Sequence, residues 1–134
     1  MNPNHLKAID HVAIAVKDAD QALGYYVDRL GLKVVGDEIA DDPGVRLVYL
    51  SVGADRIQLV QPLRPGPVAD WIHERGEGLH HICFEVEDIE SVLFDMPQEV
   101  HRSIFRGGRK RRACFLGDTP EGVNLELTES QPKP

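Results

Sequence analysis

The chain is poor in the features that would mark several protein classes. It carries only two cysteines in 134 residues, which excludes a disulfide-built scaffold. Cys83 and Cys114 both stand inside apolar runs of strand character, where free thiols are ordinarily buried. No apolar run approaches the roughly 20 residues that a bilayer-spanning helix needs, so no membrane segment is expected. The opening Met1-Asn2-Pro3-Asn4-His5 lacks the basic-then-apolar pattern of an export signal, and the chain reads as cytoplasmic. Positive charge is also in deficit: 15 Lys and Arg against 22 Asp and Glu leave a formal charge of -7, the wrong sign for a general nucleic-acid binder. The length fits one domain, residues 1–134, large enough to bury a core without staples.

What the sequence does have is a repeat. Ile9-Asp10-His11-Val12-Ala13-Ile14-Ala15-Val16-Lys17-Asp18 and Leu79-His80-His81-Ile82-Cys83-Phe84-Glu85-Val86-Glu87-Asp88 are the same statement seventy positions apart. Each is a short alternating strand ending in an Asp able to cap a helix. His11 and His81 therefore occupy equivalent points of a duplicated unit, and paired imidazoles suggest a metal.

The elements that follow support the duplication. Asp18 to Leu30 places Ala19, Ala22, Leu23, Tyr26, Val27 and Leu30 at helical spacing, with Gly31 as a left-handed stop. Leu32 to Ala40, Val45 to Val52 and Arg56 to Gln61 read as strands separated by the turns Asp41-Asp42-Pro43-Gly44 and Gly53-Ala54-Asp55. This makes a β-α-β-β-β module over about residues 7–62. A Pro/Gly-rich bridge, residues 63–78, carries a short helix from Val68 to Glu74 expected to bury Trp71 and Ile72. The second module, about 79–129, repeats the order less cleanly. It has a strand from His80 to Val86, a helix from Asp88 to Asp95, a weak strand near Val100 to Phe105, and strands from Arg111 to Leu116 and Val123 to Thr128. The tail from Ser130 to Pro134 is expected to be loose.

The last strands of the two modules also correspond. Gln58 stands between apolar neighbours in Ile57-Gln58-Leu59-Val60, and Glu126 does so in Leu125-Glu126-Leu127. A polar residue on a dry strand face must find a partner. Any one such residue fits a satisfied core position; His11, Gln58, His81 and Glu126 in matched places point further. Two imidazoles, an amide oxygen and a carboxylate form a mixed N/O set suited to a divalent first-row ion. The set leaves coordination positions open for chemistry, unlike a closed structural zinc site.

These residues resemble the vicinal-oxygen-chelate (glyoxalase/bleomycin-resistance) superfamily, and within it the methylmalonyl-CoA epimerase family. The resemblance runs from Ile9 to Glu129. Besides the two repeats it rests on Tyr25-Tyr26 with Leu30-Gly31-Leu32, Gln58-Leu59-Val60-Gln61-Pro62-Leu63, Gly76-Glu77-Gly78-Leu79-His80-His81-Ile82 and Gly122-Val123-Asn124-Leu125-Glu126-Leu127. It implies an α+β fold in which two paired β-α-β-β-β modules form an eight-stranded, barrel-like cleft. It also implies a divalent ion (Co, Mn, Ni, Mg or Zn) held by His11, Gln58, His81 and Glu126, with His80 on the opposite strand face. The implied reaction inverts the carbon between a thioester carbonyl and a carboxylate in methylmalonyl-CoA or a similar short acyl-CoA, with Glu126 as general base. The implied partners are this small acyl-CoA and a second copy of the chain, with no nucleic acid and no membrane.

The match also has gaps. Some family members carry Glu where this chain has Leu47; Tyr49, on the same strand face, is either a proton carrier or a structural cap. The loop from Met96 to Arg109 is shorter than the family pattern, and Gly117-Asp118-Thr119-Pro120 replaces a His-Pro-Lys turn. In place of the expected loop stands Arg106-Gly107-Gly108-Arg109-Lys110-Arg111-Arg112, with Arg102 upstream. This run either grips the phosphates of a CoA handle or forms a solvated strand edge. Three other readings compete: an Fe(II) dioxygenase using His11, His81 and Glu126, a lyase of the glyoxalase I type, and a non-catalytic small-molecule-binding protein of the same fold. Gln58 weakens the lyase, because an amide cannot abstract a proton.

Overall fold

Asp18 and Asp88 show how the repeat is built. In the computed structural model, which describes residues 5–96, 103–117 and 119–130, each is an extended N-cap residue following an apolar strand. Asp18 accepts from the backbone N–H groups of Asp20 and Gln21, and Asp88 accepts from that of Ser91. Such caps are worth about 1 kcal/mol each.

By its contacts the chain forms two compact units, residues 11–80 and residues 1–10 with 81–134. In the first, strand β1 (Ala8–Ala15) leads to helix α1 (Ala19–Leu23), which widens into a π-helical turn over Gly24–Arg29. Gly31, at φ +77°, ends it as expected. Strands β2 (Lys33–Ala40), β3 (Val45–Val52) and β4 (Asp55–Pro62) follow in the sheet order β2-β3-β4-β1. β1 and β4 run parallel, with Ala13 opposite Gln58. Alternation then divides the side chains between two faces. Val16, Ala19, Val48, Leu50 and Leu59 are buried beneath α1, while Ala13, Val45, Leu47, Tyr49 and Val60 are buried on the other face. Fully burying one such Leu contributes on the order of 1.5–3 kcal/mol.

Helix α2 (Pro67–Arg75) starts on a proline and buries Ile72. Trp71 is only half-buried, contrary to expectation: its ring meets His80 edge-on, 5.0 Å between centroids, with the Arg75 guanidinium over the ring at 5.8 Å.

The second unit repeats the plan, with three shorter strands after β5. Its sheet order is β5-β8-β7-β6, from β5 (Gly78–Val86), β6 (Phe105–Arg106), β7 (Arg112–Phe115) and β8 (Leu125–Glu129). Helix α3 (Ile89–Phe94) covers a core of Val86, Ile89, Val92, Leu93, Cys114 and Leu127. β5 and β8 run parallel with Cys83 opposite Glu126, the same register as Ala13 and Gln58 in the first unit. The expected strand near Val100 to Phe105 lies partly outside the described residues, as do Arg102, Asp118 and the tail beyond Ser130; Phe105 itself opens β6. Both thiols are free and buried, as expected. No helix among the described residues is long and apolar enough to cross a membrane.

Candidate functional site

Strand alternation places each of the four singled-out residues, and each is buried: His11 is 3% exposed, Gln58 4%, His81 8% and Glu126 8%. In the first unit His11 and Gln58 share the face opposite α1. β3 and β4 pair Tyr49 directly with Gln58, and the Gln58 Nε2 donates to the Tyr49 hydroxyl at 3.0 Å. The His11 ring stands edge-on to Tyr49, 6.2 Å between centroids. The Tyr49 ring fits because residue 36, its cross-strand partner on β2, is glycine: a Cβ there would come within 3.1 Å of the ring.

In the second unit β5 and β8 bring His81 and Glu126 together. The His81 Nε2 lies 3.2 Å from the Glu126 Oε1, and the His81 ring packs edge-on against Phe115 at 5.2 Å. His80 instead packs on Trp71. Cys83, on the face that carries His81, has its thiol pushed up by burial and then by the charges of Glu126 and Asp10, which holds it as a neutral thiol.

The donor chemistry fits a divalent first-row ion. One unit offers an imidazole and an amide whose nitrogen is already engaged, leaving its oxygen as the ligand atom. The other offers an imidazole beside a buried carboxylate. Asp88, Glu90 and Glu129 also approach within 4.8 Å of one another. There Arg112 bonds both Glu90 and Glu129 and supplies the positive charge itself.

Arg112 belongs to the basic run, most of which faces inward. Arg109 and Arg111 reach Asp10, which is 4% exposed, and Arg112 reaches Glu129, which is 0% exposed. These three arginines are paired with two buried carboxylates and so do not form a fully solvated strand edge. Arg106, which donates to the Lys110 carbonyl, and Lys110 stay exposed.

One matched pair escaped the sequence reading. Gln61 Oε1 accepts from the Ala19 backbone N–H at 2.8 Å, and Glu129 Oε2 accepts from that of Ile89 at 3.0 Å. Both receivers stand three residues after the polar strand residue, and both donors follow the capping Asp. The signal was present as Gln58-Leu59-Val60-Gln61 against Glu126-Leu127-Thr128-Glu129.

Residues 10–115 match the family model of the Glyoxalase/Bleomycin resistance protein/Dioxygenase superfamily. Together with the paired modules, this defines the class: an α+β protein of the glyoxalase fold, as expected from the repeat. The mitochondrial methylmalonyl-CoA epimerase of Homo sapiens is 33% identical over 133 residues, covering 94% of this chain and 76% of that protein. The crystal structure of methylmalonyl-CoA epimerase from Mycobacterium tuberculosis is similar at a TM-score of 0.86 and 33% identity, covering 100% of this chain and 93% of that one. A Streptomyces coelicolor methylmalonyl-CoA epimerase variant in complex with 2-nitronate-propionyl-CoA gives a TM-score of 0.83 and 32% identity over 93% of this chain and 98% of that one. The chain belongs to the methylmalonyl-CoA epimerase family of this superfamily, and is an isomerase.

Proposed function

We propose that the chain is a metal-dependent epimerase that inverts the α-carbon of methylmalonyl-CoA or a similar short acyl-CoA. The observation that carries this reading is the buried His81–Glu126 pair, a carboxylate and an imidazole 3.2 Å apart in a chain of the epimerase family. His11, Gln58, His81 and Glu126 would hold one divalent ion, with Co, Mn, Ni, Mg and Zn all compatible with the donor types. When bound, the ion supplies Lewis-acid stabilisation of the negative charge that develops on the thioester as the α-proton leaves. We take residues 1–134 as one domain in this reading.

Glu126 is the base. His81 faces its Oε1, and Oε2 takes the α-proton while the electron pair stays on the substrate as an enolate; the proton is then returned to the carbon. Gln58 has no basic lone pair to contribute, and Leu47 is buried among apolar neighbours, so the first unit supplies no carboxylate at the family's second position. Inversion still needs a proton delivered to the opposite face, and the number of carriers is measurable.

The test is incubation of metal-loaded protein with one methylmalonyl-CoA epimer in D2O, following inversion and deuterium uptake together. Both are expected. Deuterium uptake without inversion means a single-carrier site, and the absence of both overturns the epimerase reading. Dioxygen consumption would instead point to the Fe(II) dioxygenase, and tight ligand binding without exchange to a sequestering protein. The two free, buried thiols support a reducing compartment, for which we take the cytoplasm, and a homodimer follows by analogy with the fold.

A further inference from the structure

Gln58 is an ambiguous ligand. A glutamine amide presents an oxygen or two N–H donors depending on a half-turn of its last torsion, and only the oxygen binds a cation. Something must hold that torsion. Tyr49 is the group in place to do so: it is 3% exposed, it is the cross-strand partner of Gln58, and its hydroxyl receives the Gln58 Nε2 at 3.0 Å. Its ring is seated where Gly36 leaves room, and it meets the His11 ring edge-on. We propose that Tyr49 is a positioning residue that fixes the Gln58 amide with its oxygen presented for the metal, and that it takes no proton from substrate. The inference rests on the reading of Gln58 as a ligand. Partners of this kind, bonded to a ligand rather than to the ion, typically change metal affinity about 10–100-fold when removed.

The experiment is Mn2+ titration of metal-stripped protein by calorimetry for wild type, Tyr49→Phe, Gln58→Ala and the double variant. Thermal unfolding of each metal-free protein reports whether the fold is intact. Tyr49→Phe keeps the ring and should weaken Mn2+ binding about tenfold, at the low end of that range. In the Gln58→Ala background it should add nothing. If Gln58→Ala weakens binding and Tyr49→Phe does not, or if Tyr49→Phe weakens it equally in both backgrounds, Tyr49 does not act through the amide and the proposal is overturned. If Gln58→Ala leaves Mn2+ affinity unchanged, the ligand reading itself fails, and this inference with it.

Discussion

The two modules solve one structural problem with different chemistry. Where the first module uses an amide, the second uses an acid, twice over: Gln58 corresponds to Glu126, and Gln61 to Glu129. An amide can be buried against one hydroxyl or one backbone N–H at little cost. A buried carboxylate costs several kcal/mol unless it is compensated, and the second module draws Arg112 onto Glu129 and Arg109 and Arg111 onto Asp10. By its contacts Asp10 belongs with residues 81–134, so the basic run meets acidity within its own compact unit. At these two positions the first module is neutral where the second is ionic, and the proposed base falls in the ionic half.

Four measurements can break or sharpen this contrast. Glu126→Gln makes the two modules alike at the site and should slow α-proton exchange in D2O by about 10²–10⁴-fold while Mn2+ still binds; near-normal exchange removes Glu126 as the base. Next in size, Arg112→Met leaves Glu129 buried without its cation and should destabilise the protein by about 3–5 kcal/mol in urea unfolding. Gln61→Ala, which strands only one N–H, should cost about 1–3 kcal/mol. Adding Glu129→Gln to Arg112→Met should recover most of the loss, and equal costs for Arg112→Met and Gln61→Ala would erase the distinction between the modules.

Smaller effects follow on the surface. Arg106→Ala with Lys110→Ala removes the exposed part of the basic run and should raise KM for the CoA ester a few-fold, about 1 kcal/mol of binding, with a truncated thioester unaffected. Equal effects on both substrates would leave the run without a role in holding CoA. Smallest is the pH response of one ion pair per module. The hydrogen bond from Arg46 lowers the Asp37 pKa, and that from Arg112 lowers the Glu90 pKa. Each contribution is therefore full above the unfolded values of about 3.9 and 4.3, and is lost as pH falls through the lower folded values. Both acids are substantially solvent-exposed, so each should contribute no more than about 1 kcal/mol after screening. Stability of Asp37→Asn and Glu90→Gln should therefore converge on wild type as pH falls through the lowered folded values.

Much of this was legible in the sequence because the repeat made it so. Two copies of one alternating strand with a capping Asp located β1, β5, α1 and α3, and the same comparison singled out Gln58 and Glu126 inside apolar strands. What periodicity could not reveal was pairing between distant residues. Asp10 and Arg109 are 99 positions apart, and Glu129 meets Arg112 across two strands, so the arginines looked like a surface run until the fold turned them inward. Trp71 is half-buried for a related reason: its partners are polar, Arg75 one turn along the same short helix and His80 on β5.

Gly36 has a bearing on how this chain can change. Since a methyl group at that position would press on the Tyr49 ring at 3.1 Å, the order in which substitutions arrive matters. A lineage or a directed-evolution library that first shrinks residue 49 opens residue 36 to alanine and serine, whereas the reverse order requires the Tyr49 ring to give by a few tenths of an ångström. The permitted routes away from this tyrosine therefore begin at the tyrosine itself.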